Sequence, residues 1–412
     1  MKRMKSLSKL FRYGPGPSSS HTIAPAIAAR SFRSLLKDSS ISRIQVVLYG
    51  SLALTGHGHK TDLAIINALE PYPCEVIFDT KTRVVHPLSL CFEAFKGEDL
   101  VLARHYASLG GGEVTSSDDE SVCEKDIYPY RNLEDIKAFM AANCIPSMKE
   151  FCLLYEDPSI SDYLLDALKR MFQAVERGLS KDDYLPANAN PRLHWKRCAK
   201  GIYHSAEQIQ DPDAKREILI SAFAYAAAEN SAAGEEVVTA PTCGSSGVLP
   251  AILYYEYKIM GRPIEKIRDA LFTAGTFGNI VKQNASIAGA IGGCQAEIGT
   301  ACSMAAAALC DLEGLSLYQT EYAAECAMEH FLGLSCDPVD GYVIIPCIER
   351  NGMGALRAFD SYLYARYIAP LRKNQVSFDD VVEAMKLTGD SLTSAYKETA
   401  EGGLAEILKE KK

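Results

Sequence analysis

Residues 16–22 read Gly-Pro-Ser-Ser-Ser-His-Thr. Ser18, Ser19, Ser20, His21 and Thr22 set four hydroxyls and one imidazole in five consecutive positions. Such a set suits a small ligand carrying both charges, and a serine-rich helix start offers free backbone N–H groups to an anion. The plain alternative is a capped helix, because Ile23, Ala24, Ala26, Ile27, Ala28 and Ala29 follow as an apolar run. A second polar segment, Thr55-Gly-His-Gly-His-Lys-Thr-Asp62, carries His57 and His59 among glycines that let backbone or ligand come close. Imidazole titrates near neutrality, so one of these histidines can serve as a general base. A solvated surface turn is the alternative. A third segment runs from Thr239 to Ala251 (TAPTCGSSGVLPA), with small hydroxyl side chains and glycines ahead of a helix. Backbone N–H groups in such a loop can hold a carboxylate, or the stretch simply joins two helices.

The chain has 13 cysteines. Cys294, Cys336 and Cys347 lie in segments broken by Gly or Pro, where a thiolate can face a cavity. Cys302, Cys310 and Cys326 lie in Ala-rich helical patterns and read as packing. Three soft thiolates suit an iron–sulfur cluster with one iron left open. Their spacing is too wide for a zinc ribbon or knuckle and is not diagnostic alone. Lys282 and Asn284 precede Cys294, and Arg350 follows Cys347. An arginine can pair a carboxylate in bidentate fashion; ordinary loops carry such groups too.

These residues need elements to position them. Arg43–Tyr49 and Glu75–Asp79 read as short β-branched strands, bounded by Gly50 and Pro73. Thr61–Leu69 and Pro87–Phe95 read as helices or strand ends, and Val114–Glu124 as an acidic surface loop after Gly110-Gly111-Gly112. Tyr128–Arg131 reads as a connector. From Leu133 onward apolar residues recur at three- and four-residue spacing. Helices are expected over Leu133–Ala142, Ser147–Glu156, Asp162–Leu179, Lys215–Ala233, Ala251–Met260, Ile264–Phe277, Thr300–Asp311, Leu317–Phe331 and Asp379–Leu387. The expected fold is an α+β N-terminal domain, residues 1–140, followed by a larger all-α domain, residues 141–412.

At 412 residues, 48% hydrophobic and 23% charged, the composition is that of a globular protein. A net charge of −9 and no basic stripe argue against a nucleic-acid partner. The basic start, Met1–Leu10, has no apolar run behind it and does not read as a signal peptide. The least polar stretch, Gln283–Cys310, is interrupted by Glu297, whereas a membrane span needs about 20 mostly apolar residues. Reduced thiols, a cytoplasmic location and a homodimer are expected.

Taken together the segments resemble the iron–sulfur-dependent L-serine dehydratases (L-serine ammonia-lyases) of bacteria, in a form that fuses beta and alpha regions. GPSSSHT and TGHGHKTD are similar to the beta region. TAPTCGSSGVLPA, NIVKQNASIAGAIGGCQAEIG and LSCDPVDGYVIIPCIERN are similar to the alpha region. The resemblance implies a [4Fe–4S] cluster on Cys294, Cys336 and Cys347, and conversion of L-serine to pyruvate and ammonia. It implies His59 as the catalytic base, with His21 relaying protons or contacting substrate. Ser18, Ser19, Ser20 and Thr22 would bind substrate, and Thr61, Asp62, Thr239, Thr242, Lys282, Asn284 and Arg350 would line the site. The chain departs from some members in its tail, Ala405–Lys412, which lacks the cysteine that caps the fourth iron there. Three rivals remain: a pyridoxal-phosphate dehydratase using a lysine such as Lys60, a cluster-bearing sensor without turnover, and a protein whose cysteines are all core thiols.

Overall fold

A computed structural model describes residues 3–36, 40–186 and 193–410. Tyr13–Pro15 forms strand β1 and Ala24–Leu35 helix α1. In β2 (Arg43–Tyr49) the side chains alternate, and Ile44, Val46 and Leu48 are fully buried on one face. Strand β2 pairs in parallel with β3 (Cys74–Asp79). A parallel pair needs a crossover, and helices α2 (Ser51–Thr55) and α3 (Thr61–Leu69) supply it. The turn between those helices is Gly56–Lys60, so the crossover carries His57 and His59.

Pro87–Phe95, open in sequence between helix and strand end, resolves as β4 (Ser89–Lys96), antiparallel to β2 and to β5 (Asp99–Gly110). The segment from Val114 is more than a loop. Strand β6 (Glu113–Thr115) completes a five-stranded sheet of order β3-β2-β4-β5-β6, and Val114 is buried. Gly110, Gly111 and Gly112 all have positive φ (99, 59 and 82°) and make the tight reversal into β6. The glycines interrupt the hydrophobic pattern without ending the sheet. Ala28 and Phe32 of α1 and Ile65 and Leu69 of α3 pack with Ile44, Val46, Leu48 and Phe92 in one core.

The remainder is mostly helical. It begins with α4 (Leu133–Ala142), α5 (Met148–Leu153) and α6 (Ile160–Leu179). Two short strands, β7 (Tyr184–Leu185) and β8 (Trp195–Lys196), lead to α7 (Ala199–Gln208) and α8 (Pro212–Ala232). After β9 (Glu236–Val238) come α9 (Val248–Lys258), α10 (Ile264–Asn284), α11 (Gly289–Gly292), α12 (Thr300–Leu312) and α13 (Leu317–Glu329). The last helices are α14 (Cys347–Tyr367), α15 (Phe378–Ser391) and α16 (Leu404–Glu410). Helix α12 is nearly all small side chains, which lets α9, α10, α13 and α14 pack around it. Cys302, Cys310 and Cys326 are buried in that packing. Helix α14 has no clear sequence pattern because of Gly352 and Gly354. These glycines make room: a Cβ would stand 2.8 Å from the Tyr225 ring and 3.0 Å from Ile298.

The two regions interlock. Met4, Leu7, Leu10 and Phe11 belong to the helical core, whereas Ala288 and Ala290 belong to the α+β core. Strand β1 pairs antiparallel with β9. That pairing brings residues 16–22 against the loop that starts at Thr239. No helix among the described residues is long and apolar enough to cross a membrane.

Candidate active site

Ser19–Ile23 winds as one wide π-type turn ahead of α1, and Ser18–His21 are all buried. Such turns concentrate at functional positions. His21 is fully buried, its Nδ1 3.1 Å from Ser18 Oγ and its Nε2 3.2 Å from Ser51 Oγ and 3.1 Å from Thr55 Oγ1. His59, also fully buried, stacks on it with ring centroids 4.2 Å apart. His59 Nδ1 lies 2.9 Å from the Thr55 carbonyl, which can only accept, so Nδ1 carries the proton. Burial, then the neighbouring His59, pulls the His21 pKa down to about 3, so His21 is neutral.

Cys294, Cys336 and Cys347 line one buried cavity with Pro17, Ser18, Gly244, Glu297 and Glu398. Gly293 (φ 77°) turns the chain into Cys294 where a Cβ would meet the Leu334 carbonyl at 2.8 Å. Gln295 then ties this loop to the next: its N–H donates to Leu334 O, and its Oε1 accepts from Gly333 N. Cys347 opens α14. Asn351, one turn on, donates to the Cys347 and Gly244 carbonyls and accepts from Gly247 N, joining that helix to the 239–247 loop. Arg350 donates to the Ser335 carbonyl and stands 3.2 Å from Asp337 Oδ1. A hydrogen bond from Cys336, and then Arg350, bring the Cys294 thiol down to about 7 against the effect of burial. The Cys294 hydrogen bond and burial push Cys336 up, and burial pushes Cys347 up. Cys294 therefore ionises first.

Two carboxyl groups missing from the sequence expectation also face this cavity. Thr242 Oγ1 donates to Glu297 Oε1 at 2.6 Å. Burial, with Glu398 and Cys294 nearby, keeps the Glu297 carboxyl protonated well above the usual range. Glu398 Oε1 lies 3.3 Å from His59 Nε2 and 3.7 Å from His21 Nδ1. The sole sequence sign of Glu297 is a charge breaking an apolar stretch; Glu398 sits in a polar tail and gives none.

Other expected residues lie elsewhere or serve the scaffold. Thr22 Oγ1 donates to the Pro15 and Ser18 carbonyls and holds the turn. Thr61 is buried at the start of α3 with Oγ1 unpartnered, and Asp62 faces outward, 3.6 Å from exposed His57. Thr239 Oγ1 accepts from Arg12 N and donates to Leu10 O, fastening the N-terminal segment. Lys282 pairs with Glu113 at 2.8 Å. That pair lines a larger cavity, about 530 Å³, at the junction of the two regions, which includes none of Cys294, Cys336, Cys347, His21 and His59. Asn284 Nδ2 donates to the Arg131 and Ile280 carbonyls. Lys60 Nζ donates to the Ala233 carbonyl at 2.5 Å, a commitment that a Schiff-base lysine would have to break.

The donor set fits an iron–sulfur cluster. Three thiols share one cavity with an arginine beside them. Gly289 borders it without a side chain, since a Cβ there would meet Cys336 Sγ and Glu297 Oε2 at 3.0 Å. Buried atoms with no hydrogen-bond partner, among them Ser19 Oγ, His59 Nε2 and Glu398 Oε2, call for a bound group.

A strand-bearing N-terminal region packed on a helical body thus brings a thiol-lined cavity and a buried histidine pair together at Glu398. The serine dehydratase beta chain family matches residues 6–77 and the serine dehydratase alpha chain family residues 96–405. The chain belongs to the serine dehydratase family, with both regions in one polypeptide. It is 36% identical to an L-serine dehydratase of Streptomyces coelicolor, over 97% of this chain and 98% of that one. It is 35% identical to L-serine dehydratase 2 of Escherichia coli, over 98% of both chains. It is 37% identical to L-serine dehydratase TdcG of Escherichia coli, over 98% of this chain and 99% of that one.

Proposed function

We propose that the chain is an L-serine ammonia-lyase, converting L-serine to pyruvate and ammonia, with a [4Fe–4S] cluster held by Cys294, Cys336 and Cys347. Three thiols sharing one cavity with Glu398, whose Oε1 also lies against two stacked, buried histidines, carry this reading. When bound, such a cluster supplies a Lewis acid for departure of the β-hydroxyl.

The chain's own residues do the rest. With its Nδ1 proton committed to Thr55, His59 has Nε2 as the atom that takes the α-proton of serine. Neutral His21 adds no charge beside it and links it to Ser18, Ser51 and Thr55, a path along which a proton can move. Ser19 Oγ, buried and unpartnered, is free to bind a substrate carboxylate or ammonium. Ser18 lines the thiol cavity, and Thr242 reaches it through Glu297. Arg350 puts positive charge on the thiol side, where it steadies the charge that thiolates and substrate carboxylate bring. Loss of the β-hydroxyl then leaves aminoacrylate, which tautomerises and hydrolyses to pyruvate and ammonia. A homodimer is the assembly we infer, and residues 1–140 and 141–412 the working domains.

Reconstitution with graded iron and sulfide under argon tests the reading. Pyruvate formation should rise in proportion to cluster per chain and level off at one. Equal turnover by the iron-free chain would overturn it.

A further inference from the structure

The roles above leave Lys60 unused, although it stands next to His59. Its backbone is left-handed (φ 59°, ψ 34°), a conformation that a non-glycine residue keeps only where the surroundings over-determine it. Its half-buried side chain runs across to the helical region, where Nζ donates to the Ala233 carbonyl at 2.5 Å. Ala233 closes α8. The last carbonyls of a helix have no partner within it and gather at its negative end, so an ammonium group suits them.

The fit is built from both sides. Gly234 follows with φ 85°, and a Cβ there would stand 2.8 Å from Lys60 Nζ. On the other flank of the turn, Gly58 lies so close to the 336–347 segment that a Cβ would meet the Gly341 carbonyl at 2.5 Å. The backbone of Lys60 also starts α3, its carbonyl accepting from Ala64 N at 3.1 Å. Lys60 thus joins the start of α3 to the end of α8, and His59 is the residue before it. The same end of α8 holds two other segments of the site. Glu235 O accepts from Gly16 N at 2.9 Å, and Ser231 Oγ donates to Cys243 O at 2.9 Å.

We propose that Lys60 is a positioning residue for His59: its bond to the α8 terminus sets the turn that carries the base against the helix end that also holds residues 16–22 and the 239–247 loop. The inference rests on the lyase reading, in which His59 takes the α-proton. Lys60 acts through His59 and, in this role, touches no substrate; it is not among the residues lining the thiol cavity.

The test uses the full chain. Lys60→Met keeps the aliphatic stem and removes the donor. Lys60→Gln, polar but one bond too short for Ala233, is read beside it so that misfolding of one variant does not decide the result. Lys60→Arg restores a cationic donor, and Lys81→Met, on an exposed lysine, is the control. In anaerobically reconstituted protein, kcat of Lys60→Met and Lys60→Gln should fall about tenfold to hundredfold, the scale of a small misplacement of a reacting group. KM should stay within about threefold, as for an interaction that acts on the chemical step alone. Iron per chain should not change, and Lys60→Arg should recover most of the lost kcat. In iron-free protein the His59 ring resonances, assigned by their loss in His59→Asn, should move in Lys60→Met and Lys60→Gln and return in Lys60→Arg. Wild-type kcat in both variants would overturn the proposal, as would Lys60→Arg being as impaired as Lys60→Met. So would a KM rise at unchanged kcat, which would make Lys60 a substrate contact, or loss of iron or fold in both variants, which would make it a prop of the whole chain. His59 resonances indifferent to the substitutions would overturn it too. Wild-type protein without turnover would refute the lyase reading instead, and the iron-free spectra would still decide whether Lys60 places the His59 ring.

Discussion

His21 and His59 stack at 4.2 Å, a distance at which two imidazolium charges would repel strongly. With His21 neutral that repulsion does not arise, and the two rings differ in their partners. His21 meets hydroxyls at both nitrogens; His59 meets a carbonyl at one and a carboxylate at the other. His59→Asn should therefore cost about 10²–10⁴-fold in kcat, the range of a positioned general base, and leave the visible absorbance of the cluster intact. Near-normal turnover would remove His59 from that role. Cys336→Ser should lower iron per chain, measured by colorimetric assay after reconstitution; unchanged iron would refute Cys336 as a ligand. At this scale the histidines and the three thiols were legible, because imidazoles among glycines and thiols in Gly- or Pro-broken segments stand out along the chain. Glu398 was not: Ser51 and Glu398 are 347 positions apart. No local pattern announces such a contact.

Among the elements, β6 and α10 meet through a buried ion pair. Burial would raise the Glu113 carboxyl, but Lys282 and then Lys5 hold it at about 2, below its ordinary 4.5. A carboxyl depressed on folding stabilises the fold above the unfolded value, and that stability is lost as pH falls from about 4.5 toward 2. The urea midpoint of wild type should decline over that window, and Glu113→Gln should decline less. At pH 7 the variant should lose roughly 3–5 kcal/mol, because it leaves Lys282 buried without its partner. Asn351 makes a second joint, between α14 and the 239–247 loop. Asn351→Ala should leave the fold and shorten the lifetime of the cluster against a chelator; an unchanged lifetime would separate this joint from the Cys347 ligand. Strand β2 and most long helices were legible from periodicity. Strands β4 to β6 were not, since their partners lie across glycine turns, and α14 hides behind glycines that serve close packing rather than a break.

At the scale of the whole molecule, the two regions are woven rather than appended. The N-terminal residues Met4–Phe11 fill the helical core, α11 lends Ala290 to the α+β core, and the 394–403 strap fastens α2 to the thiol loop. The histidine half and the thiol half of the site therefore come from opposite ends of the chain and meet only in the complete fold. Sequence motifs in the right order named the family, but not the meeting. The central claim is that a cluster with an exposed iron does the chemistry beside His59. The measurement that bears on it most directly is pyruvate formation from L-serine by anaerobically reconstituted protein, followed before and after exposure to air. The account predicts turnover that air abolishes as iron is released. Turnover that survives air, with iron gone from the chain, would contradict it.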